Sequence, residues 1–137
     1  MLEMMMVVLI LAILVTIALP AYRNSVIKAN RAIGKLVLLE LVARQERFLH
    51  AHKRYGTSLV QLGFREPYFV DGTASAVRSD RAIYQLALLL EEGVYSGVIA
   101  QPLNAQALDR DCADLVYRLP GIRQVTGRYS DAPERCW

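Results

Sequence analysis

The sequence is poor in the residues on which most enzyme chemistry rests. Its only histidines are His50 and His52, and its only cysteines are Cys112 and Cys136. There is no CxxC pair and no ligand spacing of the zinc kind, so no metal site is expected. Two histidines two positions apart do not share a helix face, which weakens a metal or catalytic role for them further. GxSxG, a glycine-rich phosphate loop and HExxH are all missing, and neither cysteine has a histidine nearby in sequence. No catalytic residue, no cofactor and no enzyme activity are expected. Charge of one sign is also thinly spread. Sixteen Lys and Arg against thirteen Asp and Glu leave a net charge of +3. The cations Arg23, Lys28, Arg31, Lys35, Arg44, Arg47, Lys53 and Arg54 are interrupted by Glu40 and Glu46, and no run of five like charges occurs. They read as a solvated helix face. A nucleic-acid footprint is a concentrated stripe, so nucleic acid is not expected as a partner.

Apolar residues, by contrast, are plentiful. They make up 54% of the 137 residues and raise the mean hydropathy to +0.25, high for a soluble protein. The length suits one compact domain with an appendage. Much of the excess lies at the N-terminus, where Met4 to Leu19 is apolar except for Thr16. With Ala21 and Tyr22 the rod reaches roughly 28 Å as a helix, enough for a bilayer core. It has no polar face on which to lie along a surface. It also lacks the basic start and small-residue cleavage site of a signal peptide, so a retained anchor is expected. Glu3 opens the run with a carboxylate, which is costly in hydrocarbon unless partnered and is otherwise favoured at a helix start. Pro20 removes one backbone hydrogen bond and predicts a kink or a meltable segment. Tyr22 and Arg23 mark the membrane exit. Applied to the chain as written, the positive-inside rule places the basic stretch after the anchor in the cytoplasm.

Beyond the anchor, Val26, Ala29, Ile33, Val37, Leu41 and Phe48 recur at helical spacing, and Glu40 and Arg44 form a favourable four-apart pair. One long helix is predicted to run into the body, with Gly34 as a weak spot, and to end at Tyr55–Gly56–Thr57. An irregular connection follows to Asp80, in which Phe64, Tyr68 and Phe69 suggest a small satellite core. Ala82–Leu90 and Val94–Ala100 flank Glu91–Glu92–Gly93 as a hairpin, although Leu86–Leu90 also has helix propensity. Gln101–Pro102 is predicted to break the second strand. Leu115–Leu119 and Ile122–Thr126 flank Pro120–Gly121 as a second hairpin. The fold class is α+β, a long helix on an antiparallel sheet of about four strands. Cys112 and Cys136 suggest a disulfide in an exported domain and free thiols in the cytosol; the residues alone leave both open.

These features resemble type IV pilins and the related pseudopilins, which begin with a basic leader, a Phe-Thr-Leu-Ile-Glu start, an apolar helix and a proline before an aromatic. Leu2 and Glu3 align with the Ile-Glu end of that start, Met4–Leu19 with the apolar helix, and Pro20, Ala21 and Tyr22 with the Pro-x-Tyr. The polar helix, Tyr95–Pro102 and the closing Cys136–Trp137 are most similar to minor pilins of the PilE type. Met1 stands where a leucine would be. The leader, its glycine and the first mature residues are missing, so the chain is expected to begin a few residues late; the family's leader stays cytoplasmic and reverses the reading from the charge rule. The resemblance implies a pilin fold with a transmembrane and polymerisation helix at 1–22 and a periplasmic body at 23–137. Within the body it divides 23–55 as helix, 56–80 as variable loop, 81–128 as sheet and 129–137 as a disulfide-closed C-terminus, with Cys112 paired to Cys136. It implies that Glu3 neutralises the N-terminal amine of a neighbouring subunit during assembly. Other pilins, the inner-membrane assembly machinery and membrane lipid are the implied partners. The implied function is a minor pilin held in the inner membrane, single-pass, and in the pilus after assembly. A type II secretion pseudopilin is one alternative. An adhesive or DNA-uptake pilin using the 56–80 loop and its arginines is another.

Overall fold

The computed structural model describes residues 2–137, with side-chain surroundings from Glu3 onward; Met1, the expected stand-in for a leucine, lies outside the described residues. α1 spans Leu2–His52 and continues through Pro20 as one helix. Its lower part meets no body. Val26 and Ala29, expected on the buried stripe, are exposed, because the sheet reaches the helix only further up. From there Val37, Leu38, Leu41 and Gln45 are buried, with Ile33 and Phe48 packed against them. The helix ends three residues before the expected turn. Lys53 adopts the left-handed φ of 58° and its N–H donates to the Leu49 carbonyl at 2.8 Å, a common way of stopping a helix. Buried Gln45 then fastens the returning chain: its Nε2 donates to the Gly56 carbonyl and its Oε1 accepts the Gly56 N–H, both at 2.8 Å.

The sheet is an antiparallel meander of β1 (Tyr68–Val70), β2 (Tyr84–Glu91), β3 (Val94–Pro102), β4 (Leu115–Arg118) and β5 (Ile122–Val125), in that order across the sheet. Both expected hairpins are present, and Leu86–Leu90 is strand. Alternation decides it, because Tyr84 and Leu86 point into the core while Gln85 and Ala87 do not. The β2–β3 connection is a two-residue turn in which Glu92 and Gly93 both have positive φ, 51° and 80°, the geometry that matches strand twist. β3 runs on through Gln101 and ends at Pro102, which stands opposite Tyr84.

Two expectations need correcting. The sheet has five strands, because Tyr68–Val70 inside the connection pairs with β2, Tyr68 opposite Leu86. Nor is there a separate satellite core: Tyr68 belongs to the main core and holds Phe64 against it at 4.8 Å between ring centres. The outer side of Phe64 is covered by the Arg44 guanidinium at 4.5 Å, and Arg44 in turn pairs with Glu40 at 3.0 Å.

Gly34 is less a weak spot than an opening. A Cβ there would lie 2.8 Å from the Tyr84 ring, so the missing side chain lets α1 settle directly on β2. The Tyr84 hydroxyl accepts from Gln106 Nε2 at 3.1 Å, and burial pushes this phenol up to about 12. Gly34→Leu is expected to destabilise the body by about 2 kcal/mol, since filling a packed site forces neighbours to shift. Urea denaturation of the variant beside the natural chain measures it, and an unchanged midpoint would mean that Tyr84 moves aside freely.

Candidate functional site

Two surfaces stand out. The first is the rod itself. Met4–Leu19 is exposed along its whole length, and no part of its apolar stretch packs against the body. Only Thr16 has a polar group to satisfy, and its Oγ1 donates to the Ile13 carbonyl at 2.7 Å within the same helix. An apolar cylinder with no polar side is stable in lipid or among other apolar helices. Glu3 lies exposed in its first turn.

The second surface is built where the C-terminal segment folds over α1. Arg31 on the helix donates to Asp109 through Nε at 3.0 Å and Nη2 at 2.8 Å. Asp109 is buried, and its Oδ1 also accepts the Cys112 N–H at 3.3 Å. That forked pair pins the segment after the short helical turn Asn104–Leu108 to the helix. Next to it, Cys112 is bonded to Cys136 with both residues buried, which ties down the last residues of the chain. The Arg128 and Tyr129 N–H groups donate to the Arg110 and Asp111 carbonyls at 3.0 and 2.9 Å. At the very end, Trp137 Nε1 donates to the Gln124 carbonyl at 3.0 Å, and Lys35 Nζ to the Trp137 carbonyl at 3.3 Å.

On this frame the cations converge from separate parts of the chain: Lys28 and Lys35 from α1, Arg110 from just before Cys112, and Arg123 in β5, Arg128 and Arg135 from the segment that the disulfide closes. Arg123 lies over the Trp137 ring at 5.7 Å and Arg135 over Tyr129 at 5.0 Å. Asp111 engages Arg128 at 3.3 Å. Among the described residues, Lys28, Arg110, Arg123 and Arg135 form no ion pair, and Lys35 is held by the Trp137 backbone oxygen. A cavity of about 450 Å³ opens between Lys28, Arg31, Arg110, Tyr129 and Arg135. Burial lowers the Lys35 ammonium, and the positive charges of Arg31 and Arg123 lower it further, so these cations share one field. Cations held in fixed positions over flat aromatic rings suit a ligand of repeating phosphates.

This face was not legible as a run, because its members are scattered from position 28 to 135. The 56–80 loop, the binding surface on the alternative reading, lies around β1 at the sheet edge opposite β5. Within it Asp71 accepts from the Thr73 N–H, the Thr73 hydroxyl and the Ser75 N–H, while Arg65, Glu66, Arg78 and Asp80 are exposed. Those bonds hold the Asp71 carboxyl below its ordinary range. His52 stacks on Phe48 at 4.1 Å, and among the described residues no three metal-ligating side chains gather.

A family model described as type IV minor pilin ComP, DNA uptake sequence receptor, matches residues 20–116. The match takes in Pro20, the polar part of α1, β1 to β3 and Cys112, and stops inside β4. No curated protein matches the chain. A family described as a DNA receptor does not support the expectation that nucleic acid is absent from the partners. It agrees with the pilin fold, with the exposed apolar helix as membrane anchor and assembly element, and with partners among other pilins and the pilus machinery. The long apolar helix, the sheet laid on its upper half and the span of this match lead to one conclusion: the chain belongs to the type IV minor pilin ComP family and is a minor pilin of type IV pili.

Proposed function

We propose that this minor pilin binds DNA through its cationic C-terminal face while its apolar helix fixes it in the filament. The observation that carries the reading is the gathering of Lys28, Arg110 and Arg135, none of them in an ion pair, around one cavity, with Arg123 and Lys35 beside it at the Trp137 end of the chain. The cations would take phosphates and set register, with Arg123 and Arg135 held in place over the Trp137 and Tyr129 rings. The family's description as a receptor for a DNA uptake sequence supports a preference among sequences. Such a preference needs contacts to base edges as well as phosphates. In residues 24–137, Arg110→Ala, Arg123→Ala and Arg135→Ala are each expected to weaken DNA binding several-fold and to lower the slope of log affinity against log salt by about one. Fluorescence anisotropy with a labelled duplex reads both quantities. Three variants with unchanged affinity would move the site elsewhere.

The same reading places residues 1–22 across the inner membrane once, with 23–137 in the periplasm until incorporation. An oxidising compartment suits the Cys112–Cys136 bond. The closing Cys136–Trp137 supports a PilE-type variant of the fold. Pro20 is the point at which the helix softens on passing from lipid to filament. Glu3 holds the N-terminal amine of a neighbouring subunit, because a carboxylate in an apolar bundle is strongly favoured to find a cation. Glu3→Ala is expected to abolish incorporation into pili while leaving the body folded, since Glu3 lies far outside the core. Immunogold counting on sheared pili measures it, and normal incorporation would remove the assembly role.

A further inference from the structure

A second groove lies at the foot of the body. The helical turn Asn104–Leu108 folds down against the start of the polar part of α1 and leaves a groove of about 380 Å³ between them. Its walls are mostly apolar, formed by Tyr22, Val26, Ile27, Ala105 and Leu108, with Arg23 at one rim. Leu108 is 63% exposed, Tyr22 69% and Val26 38%. A single exposed leucine needs no explanation, whereas three large apolar groups around one groove do. On its other side Leu108 lines the cationic cavity together with Lys28 and Arg110. The groove is therefore apolar within and positive at both edges.

Its height along the helix decides the occupant. If Leu19 marks the edge of the hydrocarbon, Tyr22 stands roughly 5 Å beyond it and Ile27 roughly 12 Å, at about 1.5 Å per residue. The headgroup zone occupies about the first 5–8 Å on each side of the bilayer core. The groove thus starts within that zone and rises just past it. Arg23 and Lys28 lie within a Debye length of an anionic surface, where each cation is attracted.

We propose that this groove seats an anionic phospholipid of the membrane in which the chain is anchored. The headgroup phosphate would lie at Arg23, the first acyl carbons against Tyr22 just below it, and Val26 and Leu108 would close over the rest of the headgroup from above. Such a lipid docks the body on the bilayer before incorporation and orients the turn that carries Leu108. The inference rests on the anchoring reading of Met4–Leu19.

The test uses the full chain in nanodiscs of phosphatidylcholine alone, or of an equal mixture with phosphatidylglycerol, followed by amide hydrogen exchange. Residues 104–109 are expected to exchange several-fold more slowly in the anionic bilayer, and Arg23→Gln or Leu108→Asn should each remove that difference. Both residues are exposed, so neither variant disturbs the core. Equal exchange in the two bilayers would overturn the proposal, as would slowing in detergent micelles on addition of inorganic phosphate alone. Exchange at Met4–Leu19 reports separately on the anchor. Protected amides there with an unchanged turn count against the lipid site only, whereas unprotected amides count against the anchoring itself.

Discussion

Asp109→Ala is expected to lower the stability of the body by about 3 kcal/mol, through loss of a pair that nothing else in the fold replaces. The Asp109 side chain is 2% exposed and that of its partner Arg31 12%. Truncating the acid leaves a largely buried guanidinium facing no anion, and also removes the acceptor for the Cys112 N–H. The damage comes from the orphaned charge more than from the lost attraction. The double replacement Arg31→Met with Asp109→Leu should therefore lose less than Asp109→Ala alone. Urea denaturation of residues 24–137 checks both expectations. A double variant as unstable as the single one would show that shape, not charge, holds the segment. Because Asp109 positions Arg110 beside it, the single variant should also bind DNA more weakly even where it remains folded.

The other large effect is the loss of the disulfide. Cys112 and Cys136 are separated by 24 positions, and opening a loop of that size costs about 3 kcal/mol through the unfolded chain, on a model-dependent reckoning. For a body of this size that corresponds to a fall of roughly 10–15 °C in melting temperature. Cys136→Ser should melt that much lower than the natural chain in the absence of reductant. Adding reductant should bring the natural chain down to the variant and leave the variant unmoved. The same treatment should weaken DNA binding, since Arg135 and Trp137 flank Cys136 directly.

Much of this architecture was legible in the residues because each signal was local. A continuous apolar run, a helical stripe and two strand pairs with turn residues between them are patterns of near neighbours, and all are present, although the stripe packs into the core only from Ile33 onward. The misses share the opposite character. β1 is three residues long, too short for alternation to be visible, and exists because β2 offers an edge for it to pair with. Gly34 looked like a flaw in the helix until Tyr84, fifty positions on, took the space. Arg31 and Asp109 stand 78 positions apart, and no spacing rule connects them. The cationic face is the clearest instance. A charge run was the signal sought, and its absence argued against nucleic acid. The fold assembles that charge instead from α1, from Arg110 and from the segment that the disulfide closes, and neutralises Asp109 and Asp111 along the way. The paired cysteines were visible, but not that their bond holds up a binding surface.

The membrane helix and the body divide the work between them. On the proposed reading, one apolar surface is satisfied first by lipid and then by other pilin helices. The body is left free to carry a ligand, and its core begins only where the sheet reaches α1. Since residues 3–22 are all exposed, residues 24–137 should fold alone and report on the binding face without the anchor.

The most direct measurement is therefore the affinity of residues 24–137 for duplex DNA across a salt series, by fluorescence anisotropy. The expected result is saturable binding whose logarithm falls linearly with log salt, with a slope of about −3 to −5 for the four or five cations on this face. Binding that is absent at low salt, or that does not change with salt, would contradict it.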